Sequence, residues 1–278
     1  MSHIPCVLSI AGSDSGGGAG IQADLRAFRA FHVFGATAIT AITAQNPAGV
    51  RSVAPVPVQN VSDQIHAVLD GFPVKAIKTG MLYSAEIVQI VCDILEDLKT
   101  VPVVVDPVMI STSGTELLHA EGQDVVIERL LPRADWITPN LPEAELLLGR
   151  ELDSFPQLVA GGLELAERFH AGIVIKGGHA ANPERAEDLI CYQDSVWSLS
   201  APRLTYPPYA SHGTGCSFSS ALAAALASGM EMEQAFMQVK SFIQMSLQSA
   251  VSVTESLGVM PPALSAPFPA ADITMEKL

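Results

Sequence analysis

The chain has 278 residues, of which 49% are hydrophobic and 16% are charged. This composition excludes a disordered chain and fits one large α/β domain with a well-buried core. The formal net charge of -14 argues against a broad basic surface for nucleic acid. An anionic ligand would therefore need positive groups supplied locally, by a helix N-terminus, a lysine or a metal ion.

Short apolar runs predict strands, and amphipathic patterns predict helices between many of them. The strands are predicted at residues 6–10, 36–43, 74–78, 101–105, 136–138, 173–176 and 189–192. The helices are predicted at residues 21–34 and 87–98, and the alanine-rich run 221–227 predicts a buried helix. Such alternation indicates a mainly parallel sheet covered on both faces, with ligands bound at the carboxyl ends of its strands.

The ends of the chain and its cysteines predict a cytoplasmic protein. Residues 1–12 lack the basic and long apolar regions of a secretion signal, and no run approaches the roughly 18 apolar residues of a membrane span. The four scattered cysteines form no CxxC pair, which favours reduced thiols over a zinc site or disulfides. We expect one domain over residues 1–260 and a C-terminal tail over 261–278, loosely packed in its Pro- and Ala-rich part, 261–271.

A glycine-rich segment, residues 9–20, follows the first strand and leads into the first helix. The loose GxGxxA spacing from Gly18 to Ala23 does not indicate a dinucleotide site, because no acid lies between Asp24 and Asp63 to bind a ribose. The Gly-Lys-Ser/Thr ending of a P-loop is also missing. Two interpretations stay open: a tight strand-to-helix turn, or a loop that closes on a small substrate while Asp24 presents a carboxylate from the helix.

A second glycine-rich turn, residues 212–216, precedes a helix of small residues. Gly213 and Gly215 let the backbone turn sharply, so that the next amides point outward at the helix N-terminus, where an oxyanion or phosphoryl group is stabilised. Cys216 lies in the first turn. Its thiolate would be stabilised by the helix dipole, which predicts a partly ionised, alkylatable thiol; alternatively, it is a small buried hydrophobe.

Polar residues also follow later strands. Asn140 and Glu143 form an ordinary helix N-terminus signature, although the pair could hold a hydrated magnesium ion. Asp106 ends a buried strand, where a metal ion, its waters or a backbone amide would offset the cost of burial. Lys176 ends another strand, where it would neutralise phosphate charge or simply lie on the surface.

Seven segments in register resemble the hydroxymethylpyrimidine/phosphomethylpyrimidine kinases of the ribokinase-like superfamily. They run from about residue 7 to 242 and read AGSDSGGGAGIQADL, TAQN, KTGM, VVDPVM, ITPNLPEAELL, KGGH and HGTGC. The resemblance implies a three-layer α/β/α fold with a central, mainly parallel sheet of about eight strands, usually assembled as a homodimer. It also implies ATP- and Mg²⁺-dependent phosphorylation of 4-amino-5-hydroxymethyl-2-methylpyrimidine and of its monophosphate, in thiamine biosynthesis.

The same resemblance implies roles for single residues. Gln45 would read the polar edge of the pyrimidine. The rest of the substrate pocket would be lined by Gly12, Ala19, Asp24, Met81 and Val108. The anion hole and catalytic group would be Gly213, Thr214, Gly215 and Cys216, with the cysteine in the place of the aspartate of related sugar kinases. The nucleotide would contact Lys176 and Asn140, and magnesium would contact Glu143 and Asp106.

The chain departs from the family pattern in three places. Thr112 stands where many members have a lysine, so it cannot offer a positive charge to a phosphate. Ser211 replaces a threonine before the second glycine turn. Residues 252–271 do not match the family's glycine-rich ending, and no site residue is assigned there.

Two alternatives to a pyrimidine kinase stay open. A pyridoxal kinase, or a dual pyrimidine and pyridoxal kinase, shares the superfamily pattern, although Gln45 in its TAQN context favours the pyrimidine. A non-catalytic pyrimidine sensor would also keep the pocket. Asp106, Glu143 and the Gly-Thr-Gly turn argue against a sensor, because a sensor needs no apparatus for phosphoryl transfer.

Overall fold

The computed structural model describes residues 3–46, 49–109, 118–177, 183–255, 257–260 and 264–278. The strands in these ranges are β1 (Cys6–Asp14), β2 (Phe34–Asn46), β3 (Gly49–Pro55), β4 (Val74–Thr79), β5 (Val103–Val105), β6 (Trp136–Ile137), β7 (Gly172–Ile175), β8 (Arg185–Tyr192), β9 (Ser195–Pro202), β10 (Val251–Thr254), β11 (Leu257–Val259) and β12 (Thr274–Lys277). The helices are α1 (Gly20–Ala30), α2 (Val58–Gly71), α3 (Ala85–Glu96), α4 (Ala120–Val125), α5 (Leu141–Leu148), α6 (Phe155–Phe169), α7 (Thr214–Ala227) and α8 (Met232–Gln248).

A ten-stranded sheet forms the centre of the described structure, in the order β12-β9-β8-β7-β6-β5-β4-β1-β2-β3. The six neighbours from β7 to β2 run parallel, and β3, β8, β9 and β12 add antiparallel edges. This confirms the predicted mainly parallel sheet, with ten strands in place of about eight. The alternation of buried strands with crossover helices dictates the parallel part.

Helices cover both faces of the sheet and make two cores. On one face, α2, α3, α5 and α6 bury a core rich in valine, leucine and isoleucine. On the other face, α1, α7 and α8 pack over a second core. The predicted alanine helix is confirmed as buried: in α7 the side chains of residues 221–225 are fully inaccessible to solvent. Their small size lets the helix lie close to the sheet and to α1.

All seven predicted strands are present, but several others were not expected. β9 escaped prediction because its buried face includes Ser198 and Ser200, which break the apolar run. Both hydroxyls are satisfied by neighbouring strands, since Ser198 donates to Glu187 and Ser200 shares a hydrogen bond with Thr274. Buried serines of this kind cannot be distinguished from loop serines by composition.

The expected loose packing of residues 261–271 is wrong at Phe268, in the described part of that segment, and the chain that follows is also packed against the sheet. Phe268 is 3% exposed and its ring lies 5.3 Å from those of Phe31 and Phe242. Ile273 is 5% exposed, and β12 then pairs with β9. The proline and alanine content of the segment concealed these two apolar anchors. The division into a domain and a tail at residue 260 stays a prediction.

No helix in the described part of the chain combines the length and the apolar character that crossing a bilayer requires.

Candidate active site

A cleft of ≈ 1270 Å³ opens at the carboxyl ends of the parallel strands. It lies there because β1, β2, β4 and β5 all end on one edge of the sheet, beside the residues that follow β6 and β7 and the start of α7. The predicted site residues that line it are Gly12, Ala19, Gln45, Met81, Asp106, Val108, Asn140, Glu143, Lys176, Gly213, Thr214, Gly215 and Cys216. The sequence patterns therefore converge on one place, although the role of each residue stays a prediction.

Val108 marks a strained point in the lining. This β-branched residue has a φ of 42°, in the left-handed region that side chains like it rarely adopt. A backbone outlier of this kind costs on the order of 1–3 kcal/mol and tends to persist where the site needs it. Thr112, farther along the chain, lies outside the described residues.

The prediction that Asp24 lines the substrate pocket is wrong. Its side chain is fully buried beneath the cleft, where it pairs with the ammonium group of Lys78 at 3.0 Å. The hydroxyls of Ser9 and Ser220 donate to the same carboxylate at 2.5 and 2.7 Å. The buried face of α1 carries Asp24 toward β4, so the carboxylate supports Lys78 rather than meeting a ligand. Lys78 itself does line the cleft.

Asp14, not Asp24, organises the glycine loop. Its carboxylate accepts hydrogen bonds from the N–H groups of Gly16, Gly18 and Ala19 at 2.8, 3.1 and 2.8 Å. Burial would raise the pKa of Asp14, but these bonds and the one from His212 hold it below its ordinary value. The loop is thus folded around an anion, with its backbone facing the cleft.

Sequence reasoning missed Asp14, Lys78 and His212 as site residues, although all three line the cleft. The signal for the first two was their position at the end of a strand, which is where ligands bind in parallel sheets. His212 was considered only as the first residue of the HGTGC motif and was given no role of its own. Its ring links the two glycine loops, because Nε2 lies 3.1 Å from Asp14 Oδ2.

The second glycine turn caps α7 in the way its sequence predicts. Gly213 has a φ of 82°, and a Cβ there would collide with the carbonyl of Gly18. Thr214 donates through its N–H and its hydroxyl to the carbonyl of Ser211, a backbone contact that serine and threonine provide equally. The N–H groups of Gly215 and Cys216 find no acceptor among the described residues. Two donors therefore face the cleft at the positive end of a helix dipole.

The expectation of a partly ionised Cys216 is wrong for the protein without ligands. Burial raises the pKa of the thiol to about 11, and the charges of Asp106 and Asp24 add to this. The ammonium of Lys78 and a hydrogen bond from the Gly20 N–H oppose the rise in pKa without cancelling it. The helix dipole alone is too weak to offset the loss of solvation.

Asp106 has a protein cation as its main partner. Lys176 Nζ donates to Asp106 Oδ1 at 2.9 Å, and the hydroxyls of Thr138 and Ser219 lie 3.4 Å from the two carboxylate oxygens. Burial lowers the pKa of Lys176, but the charges of Asp106 and Glu143 outweigh it and raise the value. Lys176 is therefore a charged group of the cleft and not a free surface residue.

Asn140 and Glu143 form a reciprocal capping box at the start of α5. Asn140 Oδ1 accepts from the Glu143 N–H, and Glu143 Oε2 accepts from the Asn140 N–H, both at 2.9 Å. The capping interpretation is confirmed. Burial nevertheless raises the pKa of Glu143 to about 7, with Lys176 lowering it and Asp106 raising it. Because this pKa is close to neutrality, a cation bound near Glu143 would lower it and leave the carboxylate ionised.

The donor set of this corner fits a magnesium ion. No group of three or more His, Cys, Asp or Glu side chains in the described ranges gathers around a metal position. Magnesium needs no such group, because it binds through one or two carboxylates and fills its other positions with water and phosphate oxygens. Asp106 and Glu143 supply two carboxylates against the single charge of Lys176, so an added cation would be favoured there.

Comparison with known proteins gives a consistent picture. A family model described as phosphomethylpyrimidine kinase matches residues 14–261. The chain is 41% identical over 261 residues to a hydroxymethylpyrimidine/phosphomethylpyrimidine kinase of Haemophilus influenzae, covering 93% of this chain and 96% of that protein. It is 39% identical over 263 residues to a thiamine biosynthetic bifunctional enzyme of Arabidopsis thaliana, covering 94% of this chain and 50% of that enzyme.

Solved structures share the fold. A pyridoxal kinase from Staphylococcus aureus, in complex with AMP-PCP and pyridoxal, matches with a TM-score of 0.86 at 29% identity over 100% of both chains. The predicted three-layer arrangement of helices on both sides of a mainly parallel sheet is confirmed by this similarity and by the sheet itself.

Proposed function

The chain belongs to the phosphomethylpyrimidine kinase family, and we propose that its cleft carries out phosphoryl transfer with the residues described above. The enzyme phosphorylates the hydroxymethyl group of 4-amino-5-hydroxymethyl-2-methylpyrimidine with ATP, and then the resulting monophosphate, in thiamine biosynthesis. One observation carries the assignment of the site. The two N–H groups at the start of α7 that have no acceptor among the described residues share a cleft with Lys176, Asp106 and Glu143.

Each group has a task that suits its chemistry. The N–H groups of Gly215 and Cys216 stabilise negative charge on the phosphoryl group in flight. Lys176 contributes a fixed positive charge, held in place by Asp106. The thiolate form of Cys216 accepts the proton of the attacking hydroxyl and becomes the thiol. This is a modest task, because phosphoryl transfer depends mainly on positioning and charge stabilisation.

Asn140 and Lys176 would contact the nucleotide, and Glu143 and Asp106 would hold magnesium. Bound magnesium would neutralise charge on the phosphates. Support for the nucleotide comes from the structural relative that binds AMP-PCP. The capping box fixes Glu143 on the cleft side of α5, so its carboxylate is oriented before any ligand arrives.

The identity of the alcohol substrate decides between the pyrimidine and its main alternative. A structural relative at 29% identity binds pyridoxal, which makes pyridoxal a second candidate substrate. The test is ATP consumption by the purified chain with 4-amino-5-hydroxymethyl-2-methylpyrimidine or with pyridoxal. We expect the pyrimidine to be preferred. Turnover with pyridoxal alone would overturn the substrate assignment, and no turnover with either would restore the sensor interpretation.

Gln45 is expected to set substrate affinity through its side-chain amide. An amide offers a donor and an acceptor side by side, which match a ring nitrogen and an exocyclic amine. Gln45→Leu should weaken pyrimidine binding by about 1–3 kcal/mol, since it leaves these atoms unpaired. Calorimetry of the pyrimidine complex measures the loss. Gln64→Leu is the control, because Gln64 bonds to β2 at Ile39 but does not line the cleft; equal losses in both variants would mean that Gln45 does not contact the substrate.

Glu143→Gln should lower activity and raise the magnesium concentration needed for half-maximal activity. Glutamine keeps an oxygen for the Asn140 N–H but loses the charge. The measurement is activity against magnesium concentration for the parent and variant. Glu145→Gln serves as the control on the same helix, since the Glu145 side chain accepts from the Leu152 N–H and lies outside the cleft lining. Overlaying magnesium curves for Glu143→Gln and the parent would leave Glu143 as a capping residue alone.

The same substitution has a signature in stability. Because the folded pKa of Glu143, about 7, lies above its ordinary value of 4.5, the folded state keeps a proton that the unfolded state loses. The tighter proton binding of the folded state adds to the free energy of unfolding. This contribution is fully present below about pH 4.5 and is lost as the pH rises through 7, by on the order of 1–3 kcal/mol. Chemical denaturation should show this decline in the parent and a smaller one in Glu143→Gln.

We also propose a cytoplasmic homodimer, the usual assembly of the superfamily. Support comes from the edge of the sheet at β3, where the neighbouring β2 exposes Phe34 and Ile42 to solvent by 49% and 55%. Exposed apolar side chains beside an open edge strand favour association. Sedimentation velocity over a range of concentrations tests it, and a single monomeric species throughout would exclude the dimer.

A further inference from the structure

Four side chains meet where the two glycine loops touch β2. His212 Nε2 lies 3.1 Å from Asp14 Oδ2 and 3.3 Å from Gln45 Nε2. At the other end of the same amide, Gln45 Oε1 lies 3.4 Å from Thr43 Oγ1. The backbone of Gln45 is held separately, because its N–H donates to Ser15 Oγ and its carbonyl accepts from the same hydroxyl.

The contact between His212 and Gln45 is mismatched as it stands. The carboxylate of Asp14 is ionised and can only accept, so the nearby Nε2 of His212 must carry a proton. A protonated Nε2 cannot also accept a hydrogen bond from the Gln45 amino group. The group facing His212 must therefore be an acceptor.

The contact at the other end of the amide points to the same conclusion. The Thr43 hydroxyl has one hydrogen, and the carbonyl of Ser13 lies nearest to it, at 3.0 Å. The hydroxyl then has a lone pair left for a donor on its Gln45 side. Exchanging Oε1 and Nε2 of Gln45 is a choice that only the hydrogen-bond network decides. The exchange lets the Gln45 amino group donate to Thr43 Oγ1 and makes Gln45 Oε1 a second acceptor for the single Nε2–H of His212, which is then shared with Asp14 in a bifurcated hydrogen bond.

We propose that His212, held by Asp14, is a positioning residue that fixes the amide of Gln45 with its oxygen toward His212 and its nitrogen toward Thr43. The amide then presents an acceptor and a donor to the cleft in one order only. This inference rests on the proposed function. The order selects a 4-aminopyrimidine, whose exocyclic amine donates to the Gln45 oxygen while its ring nitrogen accepts from the Gln45 amino group. It rejects a 4-oxopyrimidine, whose carbonyl oxygen and ring N–H have the opposite order.

Binding of two ligands by two variants tests the proposal. The ligands are 4-amino-5-hydroxymethyl-2-methylpyrimidine and its 4-oxo analogue, and calorimetry gives each Kd. His212→Phe keeps a planar ring against Gly18, which the histidine ring contacts, but removes the donor. His212→Gln keeps an N–H for Asp14. We expect the parent to prefer the amino ligand by about a hundredfold, His212→Phe to lose about tenfold of that preference, and His212→Gln to stay within about threefold of the parent.

The outcomes separate this inference from the function on which it rests. Equal weakening of both ligands in His212→Phe, or an unchanged preference, would overturn the positioning role alone. Failure of the parent to bind the amino ligand would overturn both proposals. If the His212→Phe variant does not fold, the proposal can be tested on the unaltered protein. Nitrogen-15 NMR of His212 should show Nε2 protonated, and a neutral ring protonated only at Nδ1 would contradict the proposal.

Discussion

Replacing Cys216 with alanine should lower turnover by roughly 10²–10⁴-fold, the usual contribution of a general base, while pyrimidine affinity stays close to that of the parent. The thiol lies in the first turn of α7, beside the N–H groups that face the cleft. Burial raises its pKa to about 11, so little thiolate exists at neutral pH before ligands bind. The rate of the parent should therefore rise with pH across the neutral range, because each step toward the pKa of Cys216 increases the fraction of thiolate.

Steady-state kinetics of Cys216→Ala and Cys216→Asp across pH make the test. The aspartate variant should show a flatter profile near neutral pH, because the ordinary pKa of aspartate, about 3.9, leaves it ionised there. Cys191→Ala controls for the loss of a buried thiol, since Cys191 is also free but does not line the cleft. Parent-like turnover of Cys216→Ala at every pH would remove the base role and leave Cys216 as a packing residue of the anion hole.

Replacing Asp24 with alanine should lower the free energy of unfolding by about 3–5 kcal/mol, the cost of removing one partner from a buried ion pair. Both side chains of the Asp24–Lys78 pair are fully buried, so the ammonium would lose its hydrogen-bonded counter-charge in a site where water does not reach it in the parent. The hydroxyls of Ser9 and Ser220 would lose their acceptor as well. No other carboxylate of the described residues bonds to Lys78.

Urea denaturation measures the loss, with Glu164→Ala as the control. Glu164 pairs with Arg150 at 2.5 Å, but half of its side chain is exposed, and surface pairs contribute about 1 kcal/mol or less. The double change Asp24→Leu with Lys78→Met should recover much of the loss, because apolar replacement of both partners removes the unpaired charge. Similar losses for Asp24→Ala and Glu164→Ala would show that the buried charge is tolerated or hydrated.

The parallel part of the sheet could be predicted from the sequence because its strands are short, continuous apolar runs. In α1, apolar patterning does not identify the whole buried face of the helix. Its apolar residues at helical spacing are Leu25, Phe28 and Phe31. The two phenylalanines are buried, but Leu25 is 39% exposed, and the buried face also contains Ala23, Asp24 and Ala27. Alanine carries little hydrophobic signal and a buried aspartate carries the opposite one, so this part of the buried face could not be read from the sequence. The burial of Asp24 makes sense only beside Lys78, which is 54 residues away.

The candidate site was predictable to the extent that its residues sit at strand ends or glycine turns. Asp14 and Asp24 flank the same glycine loop, and the sequence offered no means of telling which carboxylate faces the cleft. That choice depends on the side of α1 that packs on the sheet. The ionisation of Cys216 was unpredictable for another reason: the helix dipole is visible in the sequence, whereas the loss of solvation that outweighs it depends on tertiary packing.

The fully buried alanines of α7 lie outside the cleft, but we expect substitutions there to affect catalysis. Ala221, Ala223, Ala224 and Ala225 are fully inaccessible to solvent, so an added methyl group at any of them would overpack the core, which costs about 1–3 kcal/mol. The least disruptive response is for the helix to slide or tilt, and such a shift would carry the Gly215 and Cys216 amides with it. In a survey of substitutions scored by growth without thiamine, these alanines would then be indistinguishable from active-site residues, although none of them lines the cleft.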